Sequence, residues 1–224
     1  MFNKRSSPII IVLLYISTLY SCNNKSNISY YPSGEKKDSG ITLDGHREGQ
    51  WKGWYENGVI EYNGYYIDGK QSNLWLWYYT DGKLSKRVIY KGGQLIGLYI
   101  SYYHNGTINE KGAYFFGKAE SDWQYYDSNG HVLATLSFDN GLRNGVVKNF
   151  YTNGSIEREG FYKNDTLDGN YHEFYLDGKL KLWRMLKDGK VLVSTSYKED
   201  GKVDSEYVAP NVTIRDSTMI RKPK

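Results

Sequence analysis

The chain has 224 residues, with 23 Tyr, 24 Gly and 6 Trp but only 4 Ala. Tyr and Trp favour strands, Gly favours turns and helix interiors draw on Ala, so this composition excludes a mainly helical protein. The aromatic fraction of 16% argues against a disordered chain, the single cysteine excludes a disulfide scaffold, and the formal charge of +4 is small.

Residues 1–21 are predicted to be a secretory signal peptide. Lys4 and Arg5 form a basic segment ahead of the mostly apolar run 9–20, which is too short to span a bilayer. The run ends in Leu-Tyr-Ser before Cys22, which resembles the lipobox of bacterial lipoproteins. That resemblance implies cleavage before Cys22 and anchoring to a membrane by acyl chains on its new N-terminus. A plain signal peptide with an incidental cysteine is the alternative.

The predicted cleavage also bears on location and partners. Loss of Lys4 and Arg5 leaves a mature chain of formal charge +2, and an exported, nearly neutral chain is not expected to bind nucleic acid. Asn23 follows the cysteine where an acidic residue would favour inner-membrane retention. We therefore expect a lipoprotein of the bacterial cell envelope, at the outer rather than the inner membrane, with residues 22–28 as its lipidated tether.

Glycines at a spacing of 24 residues show that most of the remaining chain is a repeat. The leading series is Gly34, Gly58, Gly82, Gly106, Gly130, Gly154 and Gly178. Most of these follow Asn or Asp, a pair typical of a type I′ hairpin turn. A second series, with Asp165 in its one missing place, runs in step: Gly45, Gly69, Gly93, Gly117, Gly141 and Gly189. Each unit is predicted to be two strands with one tight turn inside it and a link of roughly five residues to the next.

Aromatic residues recur at fixed places in these units and predict the packing. The residue four before each leading glycine is always aromatic, and the next is Tyr in every unit except that of Asp127. Neighbouring strand positions point to opposite faces, so aromatic side chains lie on both faces of the sheet. One hairpin cannot bury enough by itself, whereas stacked hairpins place equivalent rings together. The predicted fold is all-β, an elongated antiparallel sheet of stacked 24-residue β-hairpins.

Residues 66–84 and 162–180 resemble MORN repeats of the bacterial variant type, with a Tyr-x-x-Gly link and a Tyr-Tyr-x-Asn-Gly hairpin. The resemblance covers residues 29–205 as an array of about seven units, followed by a C-terminal tail, 206–224; Asp127, Val147 and Asp165 depart from the pattern. It implies a hairpin stack that serves as a protein-interaction or membrane-associated module. Bacterial members are often labelled YwqK-like antitoxins, which implies neutralisation of a partner protein.

No arrangement of side chains predicts catalysis or a cofactor. The four histidines fall in four different repeat columns, and Cys22 is assigned to lipid, so no metal-ligand set recurs. Gly-x4-Gly-Lys occurs at Gly64 and Gly112, but the Ser or Thr of a phosphate loop is missing after each Lys. We expect a non-enzymatic protein without a metal or cofactor.

Binding is therefore the expected function, and two alternatives remain open. In the first alternative, exposed aromatic residues within a polar rim anchor an unknown protein partner. In the second, the aromatic ladders bind glycan or cell wall, because residues 49–55 are similar to cell-wall-binding repeats. Those repeats are shorter, so a protein partner is preferred. Most of the recurring aromatics are expected to pack the sheet, and the candidates for partner binding are Trp75, Trp77, Tyr79, Tyr103 and Trp123.

Overall fold

A computed structural model describes residues 25–210 and residue 212, and every regular element in this part of the chain is a β-strand. The strands are β1 (Lys25–Tyr30), β2 (Lys36–Leu43), β3 (His46–Trp54), β4 (Ile60–Ile67), β5 (Lys70–Tyr78), β6 (Leu84–Lys91), β7 (Gln94–Leu95), β8 (Gly97–Tyr102), β9 (Ile108–Phe115), β10 (Lys118–Tyr126), β11 (Val132–Asp139), β12 (Leu142–Phe150), β13 (Ile156–Lys163), β14 (Thr166–Leu167), β15 (Gly169–Phe174), β16 (Leu180–Lys187), β17 (Lys190–Tyr197) and β18 (Val203–Val208). They form one antiparallel sheet, so the predicted fold class is confirmed. The predicted signal peptide and Cys22 lie outside the described residues.

Consecutive strands pair in chain order, as in a simple meander. Strands β7 and β8 share the place of one strand beside β6, and β14 and β15 share one beside β13. The sheet extends past the predicted array at both ends: β1 includes residues 25–28 of the predicted tether, and β18 includes residues 206–208 of the predicted tail. All residues of these two strands are exposed, because each strand is an edge of the sheet and pairs on one side only.

Two kinds of turn alternate along the sheet, and they correct the predicted turn types. Between β3 and β4 the N–H of Gly58 donates to the carbonyl of Tyr55, and of the pair Asn57-Gly58 only the glycine has positive φ, at 81°. This is a three-residue loop with a glycine bulge rather than the predicted type I′ turn. Asp68 and Gly69 both have positive φ, at 48° and 72°, and join β4 to β5. The predicted link of five residues is therefore a two-residue hairpin of type I′.

Tryptophan side chains form the centre of the core on one face of the sheet. Trp51, Trp75 and Trp123 are among its few buried apolar residues. The Trp75 ring lies across Gly64 on the neighbouring strand, where an added Cβ would stand 2.1 Å from the indole. Gly40 and Gly112 make the same space for Trp51 and Trp123. We call the side that these rings share the tryptophan face.

Hydrogen bonds join neighbouring units at both ends of their strands. At one end a tyrosine hydroxyl donates to a backbone carbonyl of the next unit, as from Tyr55 to Tyr78 at 2.7 Å and from Tyr103 to Tyr126 at 2.7 Å. We call this series the hydroxyl ladder; its other members are Tyr31, Tyr79, Tyr151 and Tyr175. At the other end the N–H of Gly69 donates to the carbonyl of Arg47 at 3.0 Å. The units are therefore fixed to each other by backbone groups as well as by packed rings.

Candidate interaction surface

Two of the five predicted binding residues are buried, which corrects the expectation that they face a partner. Trp75 and Trp123 are only 1% and 3% exposed. Their indole N–H groups donate to the carbonyls of Tyr65 and Ala113, each at 3.2 Å. Both rings lie over glycines whose missing side chains make room for them, and this close fit is not apparent from the spacing of aromatic residues.

The other three predicted residues are half-buried on the tryptophan face. The Trp77 ring stacks 5.8 Å from that of Trp75, and the Lys86 ammonium lies 5.0 Å from its centre. Tyr79 and Tyr103 belong to the hydroxyl ladder, so backbone carbonyls already accept from their hydroxyls. The five residues therefore serve mainly the packing of the sheet.

The opposite face presents an apolar stripe to solvent. Register partners share a face, so the pairs Leu74–Ile89, Leu98–Ala113 and Val146–Phe161 follow one another along this side. Among the described residues no second layer of strands covers it. The stripe consists of six large residues that are 39–48% exposed: Ile41, Tyr65, Leu74, Leu98, Val146 and Phe161.

Polar residues interrupt and border this stripe. The Ser137 hydroxyl donates to the Asp122 carboxylate at 2.6 Å in the middle of it, between Leu98 and Val146 along the sheet. At its border His172 lies 3.6 Å from Glu159. Burial lowers the pKa of His172 and the Glu159 charge opposes this, so the neutral imidazole is favoured near pH 7. The stripe therefore consists of apolar patches with polar groups between and around them, and protein interfaces commonly combine apolar contacts with hydrogen bonds.

A pair of exposed phenylalanines forms one hairpin tip. Phe115 and Phe116 are 59% and 43% exposed, and their ring centres lie 4.7 Å apart. Phe116 has φ of 46°, a left-handed conformation that is unfavourable for a bulky side chain. The same place in the other hairpins is taken by Asp, Asn or Gly, as at residues 44, 68, 92, 140, 164 and 188. The tip therefore combines backbone strain with little packing of its own rings.

The sequence indicates the apolar stripe less clearly than it indicates the aromatic columns. Its residues do recur every 24 positions, as Ile41, Tyr65 and Ile89 do, but Ala113 and Ser137 continue that column. Columns that mix apolar and polar residues give no clear indication of which face is covered. The more regular aromatic columns are therefore the stronger indication of a binding surface in the sequence.

Neither a metal-ligand cluster nor a membrane-spanning helix is found in the part of the chain that the structure describes. Within residues 25–210 and at residue 212, no group of three or more His, Cys, Asp or Glu is placed to hold a metal ion. The same part of the chain contains no helix that is long and apolar enough to cross a membrane.

One tyrosine of the tryptophan face is strongly perturbed by its surroundings. The Tyr99 hydroxyl donates to Glu110 at 3.1 Å, and burial followed by the Glu110 charge raises the pKa of Tyr99 far above the ordinary value.

Comparison with protein families identifies the repeat. The MORN repeat variant matches residues 47–68, 71–91, 95–115, 120–140 and 143–164. Each match covers two adjacent strands joined by a three-residue loop, as in β3 and β4. MORN repeats generally mediate interactions with proteins or membranes. A search of curated proteins finds no match.

Solved structures give only weak similarity. A crystal structure of accessory secretory proteins 1, 2 and 3 of Streptococcus pneumoniae is 15% identical with a TM-score of 0.18, over 55% of this chain and 19% of that one. A TcdB2-TccC3-Cdc42 structure is 10% identical with a TM-score of 0.24, over 78% and 12%. The Tc holotoxin pore of Photorhabdus luminescens with the TccC3-D651A mutation is 10% identical with a TM-score of 0.23, over 79% and 12%. The chain thus spans less than a fifth of each of these proteins.

Proposed function

Five segments of this chain match the MORN repeat variant, and on that premise we propose that it is a non-enzymatic interaction protein that binds a protein partner through the apolar stripe. The observation that supports this most directly is the exposure of Leu74, Leu98, Val146 and Phe161 along one face of a single sheet. A monomeric soluble protein rarely leaves such a row of large apolar residues in water unless another surface covers it.

The chemistry of the stripe defines the kind of partner. Leu98 and Val146 offer aliphatic contacts on either side of the polar pair Asp122 and Ser137. A complementary surface therefore has two apolar patches separated by a group that hydrogen-bonds with this pair. Large apolar side chains at the centre of an interface usually contribute most of its binding energy.

The proposal is tested by purifying the tagged protein from cross-linked cell envelopes. Leu98→Glu places a charge in the stripe and should remove the proteins recovered with the parent chain. Leu176→Glu is the matched control, because Leu176 is 59% exposed in a turn away from the stripe. Recovery of the same proteins with Leu98→Glu, or of none above an untagged control with the parent, would contradict the proposal.

The glycan alternative loses its main support in the structure. Sugars stack on exposed aromatic rings, whereas Trp75 and Trp123 are buried against glycine. Peptidoglycan pull-down with the parent chain and with Trp77→Leu tests what remains of this alternative. Binding that depends on Trp77 would revive it.

We further propose that the protein is anchored to the outer membrane by acyl chains on Cys22. The support is the lipobox-like segment that ends at Cys22 and the position of β1, which begins three residues later. Metabolic labelling with palmitate should mark the parent chain, and Cys22→Ser should abolish labelling and release the protein from the membrane fraction. Unchanged fractionation of Cys22→Ser would contradict anchoring and leave the stripe proposal intact.

We propose an antitoxin role as one form that partner binding could take. It requires that an adjacent gene encode a protein that is toxic unless this chain is present. Co-expression with the parent chain should then restore growth, and co-expression with Leu98→Glu should not. Harmless neighbouring genes would exclude the antitoxin role without affecting the binding proposal.

A further inference from the structure

The tryptophan face contains a hollow of about 340 Å³ where the repeat departs from its pattern. Val147 stands at the place of the tryptophans, and Leu136 stands where the glycines lie beneath them. These two aliphatic side chains do not extend across the next strand as an indole does. The hollow that results is bordered by Val147 and Leu167, by Tyr171, by two arginines, Arg143 and Arg158, and by Glu159. The Glu159 carboxylate is paired with the Lys148 ammonium at 3.6 Å.

In another unit of the chain, the space equivalent to the hollow is occupied by the Trp51 ring. The Arg47 guanidinium carbon lies 4.0 Å from the Trp51 ring centre and 5.4 Å from that of Tyr66. Arg143 takes the place of Arg47 four units later, and its guanidinium carbon lies 4.2 Å from the Tyr162 ring. Val147 offers it no second ring. Beside the hollow, Arg143 therefore contacts one aromatic ring, whereas Arg47 contacts two.

The charges around the hollow are unequal. The Nε of Arg143 donates to Asp165 at 2.8 Å, so this cation is already paired. The Nε of Arg158 donates to the neutral amide of Asn149 at 3.1 Å, and no carboxylate of the described residues lies within ion-pair distance of Arg158. Glu173, the cross-strand partner of Arg158, instead accepts from the Tyr171 hydroxyl at 2.9 Å. The hollow thus offers one cation that lacks a counter-charge.

We propose that this hollow binds an aromatic carboxylate. Its planar ring stacks against the Arg143 guanidinium over Val147, where three other units supply an indole, and its carboxylate pairs with Arg158. A free aromatic acid and an aromatic residue at the C-terminus of a peptide share this chemistry. The site lies on the face opposite the apolar stripe, so a negative result for this proposal would not contradict the proposed function, and the reverse also holds.

Titration of the full chain with indole-3-acetate and with indole, followed by calorimetry, tests the role of the charge. Indole-3-acetate should bind about two- to fivefold more tightly than indole, the difference expected for one ion pair with an exposed arginine. Arg158→Gln should reduce its affinity to that of indole and leave indole binding unchanged. Arg87→Gln, an exposed arginine on the opposite face, is the control and should change neither.

A second variant tests the location. Leu136→Gly combined with Val147→Trp introduces the glycine–tryptophan pair that three other units have, so it should fill the hollow and abolish binding of both probes. Circular dichroism establishes that it is folded; should it fail to fold, the Arg158→Gln titration decides. No binding of indole-3-acetate in the millimolar range, or equal binding by parent and both variants, would overturn the proposal.

The source of the ligand is distinguished by a short peptide that ends in tryptophan. Tighter binding of the free-acid peptide than of its C-terminal amide and of indole-3-acetate would assign the site to a peptide terminus. Weaker binding of the peptide than of indole-3-acetate would assign it to a free aromatic acid.

Discussion

At the scale of single residues, the glycines of this repeat serve two different physical purposes. Gly58 and Gly69 lie in turns and have positive φ, which few other residues adopt at low cost. Gly64 lies within β4 with ordinary backbone angles and is needed because the Trp75 ring occupies the space of a side chain. The burial of Trp75 therefore depends on the absence of a methyl group on the neighbouring strand.

Gly64→Ala should lower the free energy of unfolding by about 1–3 kcal/mol, because the new Cβ overpacks the indole. Gly160→Ala is the matched control: its Cβ would meet Tyr171 at 3.0 Å rather than at the 2.1 Å found for Gly64 and Trp75. Urea unfolding followed by circular dichroism measures both. A larger loss for Gly160→Ala than for Gly64→Ala would contradict this account of the core.

Phe116→Gly should raise the free energy of unfolding by roughly 1 kcal/mol, because glycine adopts positive φ without strain and the exposed ring contributes little packing. Thermal unfolding measures the change. Asn140→Gly, at the equivalent place of the next hairpin, should have a smaller effect because Asn tolerates this conformation. A loss of stability in Phe116→Gly would show that the two phenylalanine rings stabilise the tip.

At the scale of elements, the sequence located the hairpins correctly but could not assign their geometry. Asn57-Gly58 forms a bulged three-residue loop, whereas Asn140-Gly141 forms a two-residue type I′ turn. The same dipeptide adopts both because the register of the flanking strands decides how many residues the loop contains. The apolar stripe was missed for a similar reason, since aromatic residues on both faces do not show which rings lie over a glycine.

Tyr103→Phe should lower the free energy of unfolding by about 1 kcal/mol, because it removes one hydroxyl from the ladder and leaves the Tyr126 carbonyl without that donor. Chemical unfolding measures the change. Tyr65→Phe is the control: its hydroxyl makes no hydrogen bond in the described part of the chain and its ring is exposed. Equal effects of the two variants would contradict a structural role for the ladder.

The turn at Asp127 should stabilise the sheet in a pH-dependent way. Its hydrogen bond with the His131 side chain lowers the pKa of Asp127, and backbone N–H groups of His131 and Asn129 add to this. The contribution is therefore present above the unfolded-state pKa of about 3.9 and is lost as the pH falls through the lower folded value.

Asp127→Ala should consequently reduce stability more at pH 7 than at pH 2, as measured by the midpoint of urea unfolding. The loss caused by Tyr103→Phe concerns a hydrogen bond from a hydroxyl to a backbone carbonyl and no carboxylate, so it should be similar at both pH values. A constant difference between the parent and Asp127→Ala over this range would contradict the assignment.

At the scale of the whole molecule, each unit contacts chiefly its two neighbours, so stability should depend on the number of units and on an unbroken register. Deletion of residues 79–102 removes 24 positions and joins Tyr78 to Tyr103, which restores the sequence pattern at the junction. The shortened protein should fold with a lower unfolding temperature.

Deletion of residues 76–98 removes one position fewer and joins Trp75 to Tyr99 within a strand, so the side chains that follow in that strand turn toward the wrong face. Near-ultraviolet circular dichroism of the tryptophans measures the outcome. A native-like signal from this shorter deletion, or none from the deletion of a whole unit, would contradict the repeat register.

The meander also determines how the protein responds to mechanical tension. Its strands lie across the long axis of the stack, so a force that pulls the two ends of the chain apart loads the hydrogen bonds of the outermost strand one after another. An anchor at one end and a partner held by the sheet would place the array under such a force. It would then lengthen in steps, each releasing one unit and roughly 80 Å of extended chain.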